Sequence, residues 1–482
     1  MSGRRGACPT LLEPMQTGDG LLARLTPVAG LSGRQLAGLA RAAARFGNGI
    51  VEITARGSLQ VRGLTAESTG GLAAAVDALG IAVRSGLPVE TSPLAGLDGE
   101  EVGDPRELAC AIREGVEAQG LMERLGPKVS VTVDGGGVLG LGGIVADVKL
   151  EAVDGISEEA APYVAPLCPA GHLPLEGGDW LASEPSPNTS HAAPISSISK
   201  EEAGTSGRPI SPLEGEMSGR TEGGAKRRLT PERSLWLIRV GGSSSTARVL
   251  GQFTEPDAAK AAIRILQTLA ARGPAARARD LSDAELAAIT GREPSPAAGR
   301  TASCLPVGRF ALAGGRQARG FALAYGQIDS GALARFAENI GETREIRLAP
   351  GRGLLILGVS DEEDEALLAG AAQAGLVADG ADPRLAIAAC AGRPACASAH
   401  LATKRLADRL VARRPDLPPG LHVHFSGCAK QCARPAGPVV TLLGGADGHR
   451  IVNDGAPVSR DLEALLEELA DEDHASMQGQ MR

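Results

Sequence analysis

At 482 residues the chain has room for about three domains, each able to bury a core. Hydrophobic residues make up 43% and aromatics only 2%, so cores are built from Ala, Val, Leu and Ile, and no platform of stacked aromatics exists for single-stranded nucleic acid. The net charge of −8 argues against a general polyanion binder, so an anionic ligand needs a local group of Arg and Lys.

Met1 to Leu12 lacks the apolar core of a signal peptide, and no run of about 18 apolar residues is present to span a bilayer. A soluble, cytoplasmic protein with no membrane contact is the expectation. The first periodic unit opens at Gly20. Leu21 to Leu25 predicts a strand, and Ser32 to Phe46 an amphipathic helix with Ser32 as N-cap. Gly49 to Thr54 and Leu59 to Gly63 predict two more strands, and Ser68 to Leu79 a second helix.

Pro105 to Glu117 then reads as a helix, with Lys128 to Asp134 and Val145 to Glu151 as strands. Between those strands Gly135 to Gly140 satisfies G-x-G-x-x-G. A dinucleotide fingerprint opens a helix, whereas Leu141-Gly-Gly-Ile leads into a strand, so a glycine-rich hairpin is expected. From about Ala161 to Arg228 the chain is rich in Pro, Ser, Gly and Glu without a sustained period, the composition of a disordered insertion. Cys168 and His172 leave the ligand candidates on that ground. Order resumes with the strand Ser234 to Val240 and the helix Pro256 to Ala271.

A second β-α-β-β-α unit follows: Phe321 to Tyr325, Ser330 to Ile340, Glu345 to Leu348, Leu354 to Leu357 and Asp361 to Ala374. Each unit carries an Arg-Gly pair in the turn between its middle strands, Arg56-Gly57 and Arg352-Gly353, so an internal duplication is the simplest account. The fold class is α+β. The acidic end, Asp461 to Asp473, predicts a solvated helix.

Eight cysteines are too sparse for a disulfide scaffold. Two pairs stand out, Cys390-x5-Cys396 and Cys428-x3-Cys432. Cys390 follows a small-residue helical stretch, and Cys396 precedes a helix from about Ser398 to Arg413. Leu421 to Phe425 alternates as a strand with His422 and His424 on one face, and Gly427 lets the backbone approach a bulky inorganic group. Four thiolates are what a cubane iron–sulfur cluster takes, whereas structural zinc usually uses pairs spaced by about two to four residues, which x5 fits poorly. Cys110 and Cys304 are isolated and read as small buried hydrophobes; Cys8 is either a buried thiol or an extra ligand.

The two cysteine pairs, the phrase Ser426-Gly-Cys-Ala-Lys-Gln-Cys-Ala-Arg434 and the duplicated unit together resemble the sulfite and nitrite reductase superfamily. Arg5-Gly-Ala-Cys-Pro-Thr-Leu-Leu-Glu-Pro-Met-Gln-Thr-Gly-Asp-Gly-Leu-Leu-Ala-Arg24, Ser92-Pro-Leu-Ala-Gly96 and Lys128 to Gly136 resemble the precorrin-3B synthase family within it. The resemblance implies duplicated ferredoxin-like half-domains plus two α/β reductase-type domains, one of them carrying a 4Fe–4S cluster on Cys390, Cys396, Cys428 and Cys432. On that basis the chain divides into half-domains at 1–85 and 299–376, a central α+β domain at 86–160 and 234–298 split by the insertion 161–233, and a cluster domain at 377–482.

The implied activity is oxygen-dependent hydroxylation of precorrin-3A at C20 with closure of a γ-lactone, a step of aerobic cobalamin biosynthesis. The implied cofactors are the 4Fe–4S cluster and a separate non-haem iron, with O2 and NADH as co-substrates. No nucleotide site is visible, so electrons from NADH are expected through a partner electron-donor protein. A tetrapyrrole with many carboxylates needs Arg and Lys partners. Arg24, Arg56, Gln60 and Lys128 resemble residues of the reductases' tetrapyrrole-binding segments, and Arg56, Gln60 and Arg62 are expected to face one ligand, while the reductases' second lysine falls on Ser130 here. With seven histidines in the chain, His422 and His424 are the best pair for a second iron. No catalytic residue is assigned. Two alternatives stay open: a sirohaem-dependent sulfite or nitrite reductase, and a non-catalytic iron–sulfur electron carrier or redox sensor.

Overall fold

In the first half-domain, β1 (Met15–Thr17) and β2 (Gly20–Leu25) make a hairpin, followed by β3 (Leu31–Ser32) and helix α1 (Gly33–Phe46). Ser32 caps α1 through a capping box with Gln35, as its position in the pattern predicts. Strands β4 (Ile50–Ile53) and β5 (Leu59–Leu64) and helix α2 (Ala66–Ala78) complete the unit. The computed structural model describes residues 9–154, 181–182, 207–208, 234–296, 304–418 and 420–480. Cys8, Cys168, His172 and His191 lie outside the described residues, as does the expected insertion apart from two dipeptides.

The central region begins with β6 (Val89–Thr91), α3 (Pro105–Ala118), β7 (Val131–Asp134) and β8 (Ala146–Val153). The chain divides into one unit of residues 1–153 with 235–482 and another of 154–234. Within the latter, β9 (Leu181–Ala182) and β10 (Gly207–Arg208) pair antiparallel. The central region resumes with β11 (Leu235–Gly242), β12 (Arg248–Phe253), α4 (Glu255–Arg272) and α5 (Asp283–Thr290). Its sheet runs β12-β11-β8-β7-β6, with α3 and α4 closing an Ala/Val/Leu core around Trp236.

β7 and β8 pair parallel, so the glycine-rich stretch between them is a crossover loop, not the expected hairpin. Three of its N–H groups are held by carboxylates of the chain itself: Gly136 and Leu141 donate to Asp134, and Val138 donates to Asp98 Oδ2 at 2.7 Å.

The second half-domain comprises β13 (Gly308–Ala311), β14 (Gln317–Leu323), β15 (Gln327–Asp329), α6 (Ser330–Ile340), β16 (Glu345–Ala349), β17 (Gly353–Leu357), α7 (Asp361–Gln373) and β18 (Leu376–Val377). The halves exchange strands reciprocally. β15 joins the first sheet, giving β1-β2-β5-β4-β15, and β3 joins the second, giving β13-β14-β17-β16-β3. α1 and α6 approach so closely that a Cβ on Gly33 would lie 2.2 Å from the Gly341 carbonyl. One apolar core serves both halves.

The last region holds β19 (Ile387–Ala389), α8 (Thr403–Arg413), β20 (Val423–Ser426), β21 (Val439–Gly445), β22 (Gly448–Asp454) and α9 (Arg460–Gln480). β19, β20 and β21 are parallel and β22 closes the sheet antiparallel. Two expectations change here. Cys390 follows a strand instead of a helical stretch, and α8 starts five residues late because the backbone before it is used elsewhere. His400 N–H donates to Gly427 O at 2.7 Å and Ala402 N–H to Asp473 Oδ2 at 3.0 Å. Among the described residues no helix is long and apolar enough to cross a membrane.

Candidate functional site

Alternation along β5 turns Leu59 and Val61 into the half-domain core and Gln60 and Arg62 to the opposite face. Strand register places Arg24 opposite Gln60, Gln60 opposite Glu52, and Glu52 opposite Gln327, a polar row across the first sheet. With its amide set by these partners, Gln60 accepts from Arg24 Nη2 at 2.7 Å and donates to Glu52 Oε2 at 2.8 Å. Gln327 Nε2 donates to Glu52 Oε1 at 2.7 Å and to the Ala389 carbonyl at 3.3 Å, beside Cys390.

Arg62 belongs to the same face, but each of its guanidinium nitrogens is committed. Nε and Nη2 donate to Asp19 at 2.8 and 2.7 Å, and Nη1 donates to Glu52 at 3.2 Å. The Asp19 side chain is 0% exposed and that of Arg62 8%. Burial pushes the Asp19 carboxyl up, yet its hydrogen bonds to Arg62 and the guanidinium charge outweigh that and hold it below the usual carboxylate value.

Arg56 faces elsewhere. From the β4–β5 turn it forms a bidentate pair with Glu90, at 3.0 and 2.9 Å, and Nη1 donates to Val145 O at 2.8 Å. Lys128 lies in the exposed turn before β7. Arg24, Gln60 and Arg62 are therefore brought together, and Arg56 and Lys128 are not with them. Ser130 is buried with its N–H on Asp147 Oδ2 at 3.1 Å, a carboxylate also held by Arg277.

Arg56 instead borders a cleft of about 330 Å³ between residues 26–31, the loop after β6, α3 and β16. Arg84, Arg106, Arg113 and Arg347 also line it. Arg84 Nη1 and Arg113 Nη2 both donate to the Val89 carbonyl, at 3.3 and 2.6 Å, and among the described residues neither has a carboxylate hydrogen-bonded to it. Burial lowers both guanidinium pKa values, and for Arg84 the charge of Arg113 adds to the effect. Two desolvated cations converging on one carbonyl leave donors suited to carboxylate or phosphate. The sequence gives no local sign of this: Arg113 sits on α3 like any solvated helix cation, and Arg84 in the loop after α2.

The four grouped cysteines lie on two loops, after β19 and after β20. Cys390 Sγ accepts the Gly427 N–H at 3.2 Å and stands 4.0 Å from Thr403 Oγ1, which donates to the Cys390 carbonyl at 2.8 Å. Burial raises the Cys390 and Cys432 thiols, and the cysteines feel one another: Cys396 adds to the rise at Cys390, and Cys390 and Cys428 to that at Cys432. Glycines make the surrounding cradle. A Cβ on Gly427 would meet Ala399 Cβ at 2.6 Å and Cys390 Sγ at 3.5 Å, and one on Gly18 would sit 2.5 Å from Cys396 Sγ. Four free thiols within electrostatic reach, in a glycine cradle and with a backbone N–H aimed at sulfur, fit a sulfur-ligated cluster. Among the described residues no three His, Cys, Asp or Glu side chains, the cysteines included, stand close enough together to hold a metal ion as they are placed.

The histidine pair does not form a site. His422 is exposed ahead of β20. His424 lies inside it at 0% exposure, between parallel neighbours and beside Arg352 and Arg434, with Val423 and Phe425 turned to the opposite face against α8. His424 Nδ1 stands 3.3 Å from Thr441 Oγ1, and Nε2 has no partner among the described residues. Cys110 and Cys304 are exposed, not buried.

Reciprocal half-domains with a polar face toward a cysteine-bearing domain define the nitrite and sulfite reductase architecture. Residues 13–79 match the nitrite/sulfite reductase ferredoxin-like half domain family. The fold is similar to that of the Mycobacterium tuberculosis NirA protein, with a TM-score of 0.58 and 19% identity over 91% of this chain and 76% of that one. A ferredoxin–nitrite reductase of Synechococcus elongatus is 25% identical over 88% of this chain and 76% of its own length. A precorrin-3B synthase of a Sinorhizobium species is 37% identical over 94% of this chain and 84% of its own. The chain belongs to the precorrin-3B synthase family.

Proposed function

We propose that the protein converts precorrin-3A to precorrin-3B, hydroxylating C20 with O2 and closing a ring acetate to a γ-lactone. The observation that carries this reading beyond family membership is the arginine-lined cleft at Arg84 and Arg113, whose donors suit the carboxylates of a tetrapyrrole. Arg56 borders the same cleft, and Arg24 and Gln60 add a second polar surface on the first sheet. Holding the macrocycle at several carboxylates selects one meso carbon among four by position. Cys390, Cys396, Cys428 and Cys432 would hold a 4Fe–4S cluster, which supplies single electrons when bound. The Gly427 N–H would then rest on one ligand sulfur and Thr403 would fix the backbone of that ligand. NADH electrons would enter through a partner protein, since the glycine-rich loop leads into a parallel strand instead of a helix and gives the N–H groups of Gly136, Val138 and Leu141 to Asp134 and Asp98.

The test is anaerobic purification with iron and sulfide counted, then single-turnover incubation with precorrin-3A, O2 and a reductant. Gain of one oxygen atom in the macrocycle, with Arg84→Gln and Arg113→Gln each weakening precorrin-3A binding by about tenfold, is the expected result. Extractable sirohaem with reduction of nitrite or sulfite would move the assignment to the reductases instead.

A further inference from the structure

The β1–β2 turn, Thr17 to Gly20, joins the polar sheet to the cysteine loop. The Gly18 carbonyl accepts the N–H of Ala397, the residue after Cys396, at 3.1 Å. Gly18 can have no side chain there, since a Cβ would lie 2.5 Å from Cys396 Sγ and 2.8 Å from Ser398 Oγ. The next residue fixes the turn. Asp19 receives the two Arg62 hydrogen bonds, the Thr17 hydroxyl at 2.7 Å and Asn48 Nδ2 at 3.2 Å, and Arg62 is tied on its other side to Glu52.

We propose that the Asp19–Arg62 pair is a latch that positions the Cys396 corner of the metal site, and that Arg62 is a positioning residue for that corner instead of a ligand for substrate carboxylate. The inference rests on the reading of the four cysteines as a cluster site. Arg62 stands on the sheet with every guanidinium nitrogen donating to a carboxylate of the chain itself, and its partner carboxylate is sealed from water. Whatever frees Asp19 strands a buried charge, and the turn then leaves its place. With it go the lid over Cys396 Sγ and the acceptor that holds the backbone after Cys396. A ligand sulfur that loses its cover and its orienting neighbour releases iron sooner.

The experiment follows the visible absorbance of the full-length, cluster-loaded protein after addition of an iron chelator, with iron and sulfide counted at the start. Wild type is compared with Asp19→Asn, Arg62→Lys, their double variant and Gly18→Ala, and thermal melting confirms that each is folded. Each single variant should shorten the half-life about tenfold, the change that about 1.4 kcal/mol of lost coupling gives. The double variant should do no worse than either single. Gly18→Ala keeps both charges paired and presses a methyl on Cys396 Sγ, so its lability reports how closely the turn must fit that sulfur. Wild-type half-lives throughout, or additive effects in the double variant, overturn the latch. So does an Arg62→Lys protein that keeps the wild-type half-life but binds precorrin-3A more weakly. Wild-type protein that holds no matching iron and sulfide sinks the cluster reading, a failure visible before any variant is made.

Discussion

The two half-domains share a plan and put it to opposite uses. After the Arg-Gly turn, Leu59, Gln60, Val61 and Arg62 in the first copy correspond in facing to Leu354, Leu355, Ile356 and Leu357 in the second. Leu59 and Val61, like Leu354 and Ile356, enter the common core. The other face differs entirely. In the first copy it carries the row of Arg24, Gln60 and Glu52 with the Asp19–Arg62 pair, and in the second Leu355 and Leu357 pack with Phe310, Leu94 and Leu139. The turns differ as well: Arg56 is paired with Glu90, while the Arg352 guanidinium has no hydrogen-bond partner among the described residues. A duplicated fold thus keeps one face for both copies' packing and frees the other in a single copy for polar chemistry.

The sharpest way to break this contrast is to give the first copy the residue of the second. Arg62→Leu leaves the Asp19 carboxylate buried without its cation, and should cost about 3–5 kcal/mol in denaturant unfolding. A loss below about 1 kcal/mol would mean that Asp19 is reached by water and the polar face is not sealed. The converse face answers to packing. Leu355→Ala should cost about 3 kcal/mol through the cavity it leaves in a fully buried site. Iron and sulfide content should stay at the wild-type level, since that face meets the central region and not the cysteines. Cluster loss in Leu355→Ala without global destabilisation would contradict the division of labour.

Much of the plan is legible in the sequence because it rests on local period. The capped α1 and the two Arg-Gly turns follow from spacing and cap chemistry alone, as does the helical C-terminal α9. That helix is not the solvated one expected: Leu462, Leu466 and Leu469 enter the core and Asp473 is buried on Ala402 and Arg405. The strand exchange does not. β3 is two residues long and β15 three, so neither has a period, and only tertiary pairing with the other half-domain makes them strands. The site shows the same limit. The expectation that Arg56, Gln60 and Arg62 face one ligand takes a tight hairpin as one surface, but Arg56 sits at its tip, where Glu90 from a different region captures it. His422 and His424 alternate as an exposed face would, and only the parallel pairing of β20 with β19 and β21 shows that the strand is covered on both sides. Asp19 was in view inside the opening motif, yet its partner lies 43 residues away.

The unlike turns of the two copies also predict an unlike response to acid. His424 stands in the field of Arg352, the turn residue of the second copy, and of Arg434. Burial first, and these two charges after it, lower its pKa from 6.5 to about 4. In the unfolded chain the imidazole takes a proton near pH 6.5, whereas the native one refuses it until about pH 4, so between those values the unfolded state binds more protons. Stability therefore falls as pH drops through that window and levels off below it. At pH 5 the contribution amounts to about 2 kcal/mol. Urea unfolding at pH 7 and pH 5 should show this loss in wild type and its absence in His424→Gln, measured as the difference of two differences so that carboxylate titrations common to both proteins cancel. An unchanged pH dependence in the variant would mean that the native imidazole takes its proton near pH 6.5, as the unfolded one does, and so feels neither burial nor the charge of Arg352.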